Sequence, residues 1–202
     1  MKKLLFVVLS LIISVVDIKA QASEGDAFVI PKIGANYSNF LNRSSSYKPG
    51  FTGGLGIEYF INKKLAWDTE MYFTHQGAHD VMYYPENANY DYSLNLLNLD
   101  FLLKYYPITA LKQHFSLYTG FHTGYIVYAR ANYQDIKDDI KAGQYGIPVG
   151  ATIEFGKLII DARYIYSFRK IAGSEDSKTK QIIGDATLNS FWLTFGYKIQ
   201  IF

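Results

Sequence analysis

The stretch of sequence that decides the fold reads Asn189-Ser190-Phe191-Trp192-Leu193-Thr194-Phe195-Gly196-Tyr197-Lys198-Ile199-Gln200-Ile201-Phe202. Successive side chains of a β-strand point to opposite faces of the sheet. One face of this stretch is therefore apolar, with Phe191, Leu193, Phe195, Tyr197, Ile199 and Ile201. The other face is mostly small or polar, with Ser190, Thr194, Gly196, Lys198 and Gln200. This pattern favours a barrel strand that closes against the first strand, with lipid outside.

The first 22 residues predict a secretory signal peptide. Lys2 and Lys3 give the charged start, residues 4–16 form the apolar run, and residues 20–22 read Ala-Gln-Ala, an A-x-A cleavage site. A transmembrane anchor needs about 20 apolar residues, and Asp17 and Lys19 end this run earlier. We therefore expect a signal peptide over residues 1–22 and one domain over residues 23–202.

Composition narrows the class of protein further. The chain has 18 Tyr and 14 Phe, only 5 Pro and no Cys, so it has no disulfide or thiolate metal site. Its net charge of +2 gives no argument for nucleic-acid binding. Many aromatics, alternating apolar residues and a signal peptide are typical of a chain that divides its residues between lipid and water.

Eight stretches of the sequence alternate in this way. They cover residues 28–40, 47–60, 65–76, 90–106, 114–130, 144–155, 158–168 and 189–202. The connections alternate between short turns and longer polar loops, of which residues 77–89 form one. This predicts an all-β fold, an eight-stranded antiparallel up-and-down transmembrane β-barrel with short periplasmic turns and longer extracellular loops.

A soluble β-sandwich or lipocalin-like barrel is the alternative, and its apolar residues would face inward. The polar face here is rich in Gly, Asn, Thr and Ser but poor in Lys, which suits a crowded lumen better than a soluble surface. Aromatic residues at strand ends also predict two girdles at the membrane interfaces. The periplasmic girdle is Tyr59, Trp67, Tyr105, Phe115 and Phe155, and the outer one is Tyr37, Phe73, Tyr125, Tyr145, Tyr164 and Phe191.

Several short motifs carry a family resemblance. They are KIGANYSNF at 32–40, LNLDFLLKYYP at 97–107, GFHTGY at 120–125, DARY at 161–164 and FGYK at 195–198. In this order they resemble the PorT-like outer-membrane β-barrel family of Gram-negative bacteria, with Asp100 where the family usually has Pro. The resemblance implies an eight-stranded barrel in the outer membrane but little about activity. One class of members is linked to protein secretion and gliding.

Charged residues also fall on the inward face of the predicted strands. They are Lys32, Glu58, Asp68, Glu70, Asp100, Lys104, Glu154, Asp161, Arg163 and Lys198, and His122 shares their face. Side chains just fill the interior of an eight-stranded barrel, and a lone buried charge is costly. We therefore predict a structural charge network in the lumen with two groups. Glu58, Asp68, Glu70 and Lys104 lie on neighbouring strands in the inner half, and Asp161 and Arg163 lie near Glu154 and Lys198. A narrow solute path is the alternative.

The extracellular loops are the predicted place for specific function. The candidate residues could bind a surface glycan or a protein; they are Tyr83, Tyr84, Tyr90 and Tyr92 around the second loop, with Arg169 and Lys170 in the fourth. The leading hypothesis is therefore a structural or partner-binding role. A narrow passive channel, an accessory component of protein secretion and, last, a lipid-modifying membrane enzyme are the alternatives.

No nucleophile or positioned His–Ser pair marks the outer rim, so the sequence predicts no enzyme and no cofactor. His75 and His79 are too few ligands for a metal site. The expected partners are outer-membrane lipid, lipopolysaccharide and the barrel assembly machinery. Gly196, Ile199, Ile201 and Phe202 form the candidate assembly signal, although Phe202 shares the parity of Gly196 rather than that of the lipid-facing isoleucines.

Overall fold

The computed structural model describes residues 23–108, 113–173 and 178–202. The predicted signal peptide lies outside these residues. The strands are β1 (Ala27–Leu41), β2 (Ser46–Asn62), β3 (Leu65–Tyr83), β4 (Ala88–Ile108), β5 (Gln113–Ala131), β6 (Gln134–Asp135), β7 (Gly143–Phe155), β8 (Leu158–Ser167), β9 (Thr187–Tyr197) and β10 (Ile199–Gln200). The helical segments are the 3-10 turns Tyr84–Glu86 and Lys137–Asp139 and helix α1 (Lys178–Ile183). None of the helices in these ranges is long and apolar enough to cross a membrane.

Eight of the strands form a closed ring. Each of β1, β2, β3, β4, β5, β7, β8 and β9 pairs antiparallel with the next, and β9 pairs back with β1. The short strands β6 and β10 extend this ring, on β5 and β1 respectively. The predicted all-β, eight-stranded antiparallel up-and-down barrel is therefore confirmed. Closure leaves no exposed edge between β1 and β9.

The ring closes with a stagger that sets its width. The stagger is found by moving from each residue to its paired residue on the next strand, once round the ring. Starting on β1, this path passes through Ala27, Tyr59, Trp67, Leu103, Thr119, Val149, Tyr164, Phe191 and finally Tyr37. The path returns to β1 ten residues beyond its start. With a rise of about 3.3 Å per residue and about 4.8 Å between strands, this stagger tilts the strands by about 41°. Such a barrel is only wide enough for side chains inside.

The two faces of the barrel have opposite chemistry. Outside, Ile33, Leu55 and Phe195 keep 70%, 52% and 54% of their surface exposed. Inside, the charged side chains of Glu58 and Asp161 are completely buried. A soluble barrel would have the reverse arrangement, because its apolar residues face the core.

The closing strand is interrupted once, near its end. β9 stops at Tyr197 and β10 starts at Ile199, yet the pairs Lys32–Gly196 and Val29–Ile199 belong to one continuous register on β1. Pro31, which has no N–H, lies on β1 between these two pairs, so the ladder loses a hydrogen bond there. On the other side of the closing strand, next to β8, the backbone N–H of Lys198 donates to the carbonyl of Lys157, 2.7 Å away.

Residues 77–89 do not form a polar loop, so that prediction is wrong. β3 runs on to Tyr83 and β4 begins at Ala88, which leaves a short turn around residues 84–87. A β-bulge sets two residues of β3, His79 and Asp80, opposite Asp91. Asp80 takes φ +52°, and its N–H donates to Asp91 Oδ1 at 3.1 Å. The extra residue breaks the two-residue period that the sequence analysis relied on.

The extracellular end, opposite the chain termini, carries an apolar cap. The connections described at 132–142, 168–173 and 178–186 fold over the inner faces of β3, β4 and β5. The buried residues of this cap are Phe40, Ala78, Val81, Tyr92, Leu94, Leu96, Ile126, Ala129, Ala131, Ile136, Ile140, Ile171, Ala172, Ile182, Ile183, Ala186 and Leu188. The two long loops are therefore packed against the barrel mouth.

Candidate functional site

The centre of the lumen is built around the guanidinium of Arg163. Its Nη2 lies 2.5 Å from Glu70 Oε2, its Nη1 2.8 Å from Asp100 Oδ2 and its Nε 3.1 Å from Asp161 Oδ1. β8 faces β3 across the ring, so the contact with Glu70 spans the whole lumen. A planar guanidinium presents five donors in a fixed fork, which suits it to hold three carboxylates at once.

Lys32 links two of the same carboxylates from another strand. Its ammonium contacts Glu70, and its Nζ lies 3.4 Å from Asp161 Oδ2. Asp161 also accepts a hydrogen bond from the hydroxyl of Tyr118 at 2.9 Å. Glu70 and Asp161 are thus each shared between a lysine and Arg163, which reduces the cost of burying them.

A second group of charges lies nearer the chain termini. Lys104 Nζ is 2.5 Å from Asp68 Oδ2 and 3.2 Å from Glu58 Oε1. Lys198 Nζ is 2.5 Å from Glu58 Oε2 and 3.0 Å from Glu154 Oε1. Glu58 therefore joins β2 to β4 on one side and to the closing strand on the other.

The hydroxyl of Tyr106 lies between two carboxylates of that group. It is 2.7 Å from Glu58 Oε1 and 2.8 Å from Glu154 Oε1. The Tyr106 ring also packs against Phe60, at 5.2 Å between centroids. Polar and aromatic contacts together fill this level of the lumen.

The structure buries all ten of the predicted lumen charges, but it groups them differently in part. Arg163 was expected near Glu154 and Lys198, and instead contacts Asp100 and Glu70 across the barrel. The prediction paired charges on adjacent strands, and this was wrong for Arg163. In so narrow a barrel, side chains from opposite strands also lie within contact distance of each other. The ten residues carry four cations and six carboxylates, and His122 Nδ1 lies 2.5 Å from Asp100 Oδ1.

Aromatic rings surround Arg163, and one of them, Trp192, is not among the site residues predicted from the sequence. The guanidinium lies 5.3 Å from the ring centroid of Tyr72, 5.4 Å from that of Tyr118 and 5.6 Å from that of Trp192. Trp192 Nε1 donates to Ser190 Oγ at 2.8 Å. Trp192 is two residues away from both Ser190 and Thr194, so the alternation of the strand already places its side chain inside the barrel. A cation held among rings gains from their π-faces as well as from the carboxylates.

The lumen is filled at successive levels. Phe60 and Tyr106 fill the end near the chain termini, and Arg163 with Trp192 fills the middle, each no more than 2% exposed. The apolar cap fills the extracellular end. A water molecule therefore has almost no access to the side chains at any of these levels.

The four residues of the candidate assembly signal lie along the end of the closing strand. Ile199 and Ile201 point outward and are 46% and 45% exposed, whereas Gly196 faces Lys32 inside the barrel. Phe202 is 82% exposed, and its carbonyl accepts the N–H of Ala27 at 3.3 Å. The apolar face of the strand thus continues to Ile201, and the Phe202 ring lies outside the barrel wall.

The four tyrosines of the predicted surface site do not form one surface. Tyr92 is completely buried in the cap, while Tyr83 and Tyr90 pack partly against it. Only Tyr84, at the turn between β3 and β4, is freely exposed among these four, at 72%. The difference arises because β3 and β4 extend through the stretch that was expected to be a loop. Tyr83, Tyr90 and Tyr92 therefore belong to strands.

Comparisons with known proteins agree with this architecture. Residues 20–173 match the family model described as "Outer membrane protein beta-barrel domain". None of the curated proteins compared with the sequence matches it significantly. Among solved structures, the outer membrane protein OprG of Pseudomonas aeruginosa superimposes with a TM-score of 0.55 at 12% identity, covering 90% of this chain and 99% of that one. Neisserial surface protein A (NspA) gives 0.50 at 13% identity, with 86% and 97% covered.

Proposed function

Because this chain belongs to the outer membrane protein β-barrel domain family, and so lies in the outer membrane, we propose that it is a closed barrel that binds a partner at its extracellular surface. The observation that supports this most directly is the filled lumen. Trp192 and Tyr72 are completely buried and Arg163 is 1% exposed, so the middle of the barrel has no room for a solute. This argues against the alternative of a narrow passive channel.

The extracellular cap supplies a suitable platform for binding. Its apolar cluster holds residues 132–142, 168–173 and 178–186 in place, so a partner that binds there would meet an ordered surface and little entropy would be lost on binding. Tyr133 is 94% exposed and takes φ +74°, a backbone conformation that is rare for a bulky residue. Strained, exposed aromatic residues occur at binding sites more often than elsewhere. The partner class is a surface glycan or a protein, and a role in protein secretion would be one form of such binding.

Conductance measurements test the closed barrel. Folded protein reconstituted into planar bilayers is expected to give no steady current steps. A Trp192→Ala/Tyr72→Ala variant, checked for folding by its heat-dependent shift on a gel, tests whether the middle level is what closes the lumen, and it should conduct. Steady steps from the wild-type protein would overturn the proposal of a closed barrel.

Binding measurements test the extracellular surface. Wild-type protein in nanodiscs is applied to an array of bacterial and host surface glycans and of extracellular proteins. Tyr133→Ala and Tyr84→Ala should weaken binding at least about tenfold, which corresponds to about 1.4 kcal/mol. The control Tyr59→Ala changes an exposed tyrosine near the periplasmic end and should leave binding unchanged. Equal binding by all three variants would refute a role for the extracellular tyrosines.

A further inference from the structure

Two cations lie over tyrosine rings on the outer surface of β5 and β7. Lys137 Nζ is 4.7 Å from the ring centroid of Tyr125, and the Arg169 guanidinium is 5.1 Å from that of Tyr145. Both rings are lipid-facing, with 55% and 38% of their surface exposed. We refer to these four residues as the outer basic patch.

The two cations of the outer basic patch are neighbours because of the strand register. Tyr125 of β5 pairs with Gly143 of β7. The Arg169 side chain lies against Gly143, whose missing Cβ would come within 2.8 Å of Nη1. The guanidinium therefore stands over the residue directly opposite Tyr125, and the Tyr125 ring is the one that the ammonium of Lys137 covers.

Among the residues that the structure describes, no ion pair neutralises the charge of the outer basic patch. The lumen cations Lys32, Lys104, Arg163 and Lys198 each contact at least two carboxylates, but neither Lys137 nor Arg169 has a carboxylate within ion-pair distance in the described parts of the chain. Lys137 Nζ donates to the carbonyl of Ile126, which uses one of its three N–H groups. Asp135 accepts the backbone N–H of Lys137. Burial lowers the pKa of the Lys137 ammonium, and the carboxylates of Asp138 and Asp135 attract the ammonium from beyond ion-pair distance. Positive charge therefore remains available to a ligand.

The surface next to the patch is apolar on its membrane side. Phe121 stacks on Tyr145, with 6.2 Å between centroids, and is 45% exposed. Ile147 and Val149 continue the apolar surface along β7, with 46% and 57% exposed. Tyrosine rings prefer the headgroup level of a membrane, so the two cations stand where headgroups begin and the apolar residues where acyl chains lie.

We propose that the outer basic patch binds the phosphorylated headgroup of a glycolipid of the outer leaflet. The guanidinium of Arg169 presents paired donors to phosphate oxygens, and Lys137 adds a point charge beside it. The acyl chains of the same lipid lie along Phe121, Ile147 and Val149. This site is on the barrel wall and is independent of the extracellular binding surface proposed above.

The test measures lipid binding directly. Folded wild-type protein in detergent micelles is titrated with bis-phosphorylated lipid A, with dephosphorylated lipid A and with inorganic phosphate, and bound species are counted by native mass spectrometry. We expect at least about tenfold preference for the phosphorylated lipid. Lys137→Gln/Arg169→Gln should lose that preference. The control Lys63→Gln/Lys64→Gln, which removes two charges at the periplasmic turn, should keep it.

Three outcomes would overturn the proposal. The first is that the Lys137→Gln/Arg169→Gln variant, with its folded state verified by its gel shift, binds as well as the control. The second is equal binding of phosphorylated and dephosphorylated lipid A. The third is that inorganic phosphate binds as tightly as the lipid, which would indicate an anion site without a lipid. None of these outcomes affects the measurements on Tyr133 and Tyr84, so the two proposals fail separately.

Discussion

Replacing Arg163 by Met is expected to destabilise the barrel strongly. The methionine keeps most of the apolar stem that packs among Tyr72, Tyr118 and Trp192, but it removes the charge. Three carboxylates then lose a partner at contacts between 2.5 and 3.1 Å. The variant thus isolates the electrostatic role of the guanidinium from its packing.

The size of the effect follows from what remains beside each carboxylate. Glu70 and Asp161 keep Lys32, and Asp100 keeps His122. We therefore expect the penalty of breaking one buried ion pair rather than three, about 3–5 kcal/mol in the free energy of unfolding. Removing a carboxylate as well should relieve part of this penalty. Arg163→Met/Glu70→Gln should be more stable than Arg163→Met by at least about 1 kcal/mol.

The assay is reversible urea unfolding in detergent micelles or lipid vesicles, followed by tryptophan fluorescence and by the heat-dependent shift on a gel. Arg130→Met serves as the control, because Arg130 is exposed and should change stability by no more than about 0.5 kcal/mol. A loss below about 1 kcal/mol for Arg163→Met would refute the argument that the charges support one another. So would a double variant that is less stable than Arg163→Met alone.

Three further perturbations test other parts of the structure. Leu55→Arg places a charge on the lipid-facing side and should lower the free energy of unfolding in lipid vesicles by about 2–4 kcal/mol. The control Tyr84→Arg, at the extracellular turn, should change it very little. Equal losses for the two variants would argue against the membrane orientation. Gly150→Ala would bring a Cβ to 2.4 Å from the Tyr118 ring and should lower the free energy of unfolding in urea by about 1–3 kcal/mol. The control Gly53→Ala meets nothing closer than 3.9 Å and should be neutral. A neutral Gly150→Ala would argue against tight packing at this level of the lumen. Hydrogen bonds from Lys170 and Lys180 lower the pKa of Asp185, so their support of the cap is present above about pH 4 and is lost as the pH falls through the lowered pKa. At pH 5, pepsin should therefore cut the connection between β8 and β9 faster in Asp185→Asn than in the wild-type protein, whereas near pH 2 the two proteins should be cut at the same rate. The ratio of the two rates removes the pH dependence of pepsin itself, and an unchanged ratio at the two pH values would contradict this.

The barrel was predictable because its signal is repeated. Each of eight stretches carries the same two-residue alternation, so a local error does not alter the topology. The bulge at His79 and Asp80 causes such an error in the prediction. Its extra residue shifts the alternation by one, so the sequence pattern assigns Val81 to the outer face although the side chain lies inside. Sequence periodicity carries no mark of a bulge, because the extra residue is specified by its pairing with β4.

The contents of the lumen were predictable only in part. Parity placed charged residues such as Arg163 and Asp161 on the inner face, where the structure has them. Their partners were not predictable from neighbouring strands, because the contact between Arg163 and Glu70 depends on the diameter of the ring. The cap was missed for another reason. Its isoleucines, such as Ile140 and Ile171, are scattered through loops that have no period, and they meet only in three dimensions.

The seam between β1 and β9 has a consequence for how the barrel folds. Lys32 of β1 reaches Asp161 of β8 at 3.4 Å, and Lys198 reaches Glu58 of β2 at 2.5 Å, so both ion pairs cross the seam. In an open sheet with the same strand order, each pair would be six strand spacings apart, about 29 Å. These attractions contribute nothing until the last strand docks, and then they contribute together. Folding should therefore be cooperative, and a half-assembled sheet would leave Glu58 and Asp161 without these partners and gain little by persisting.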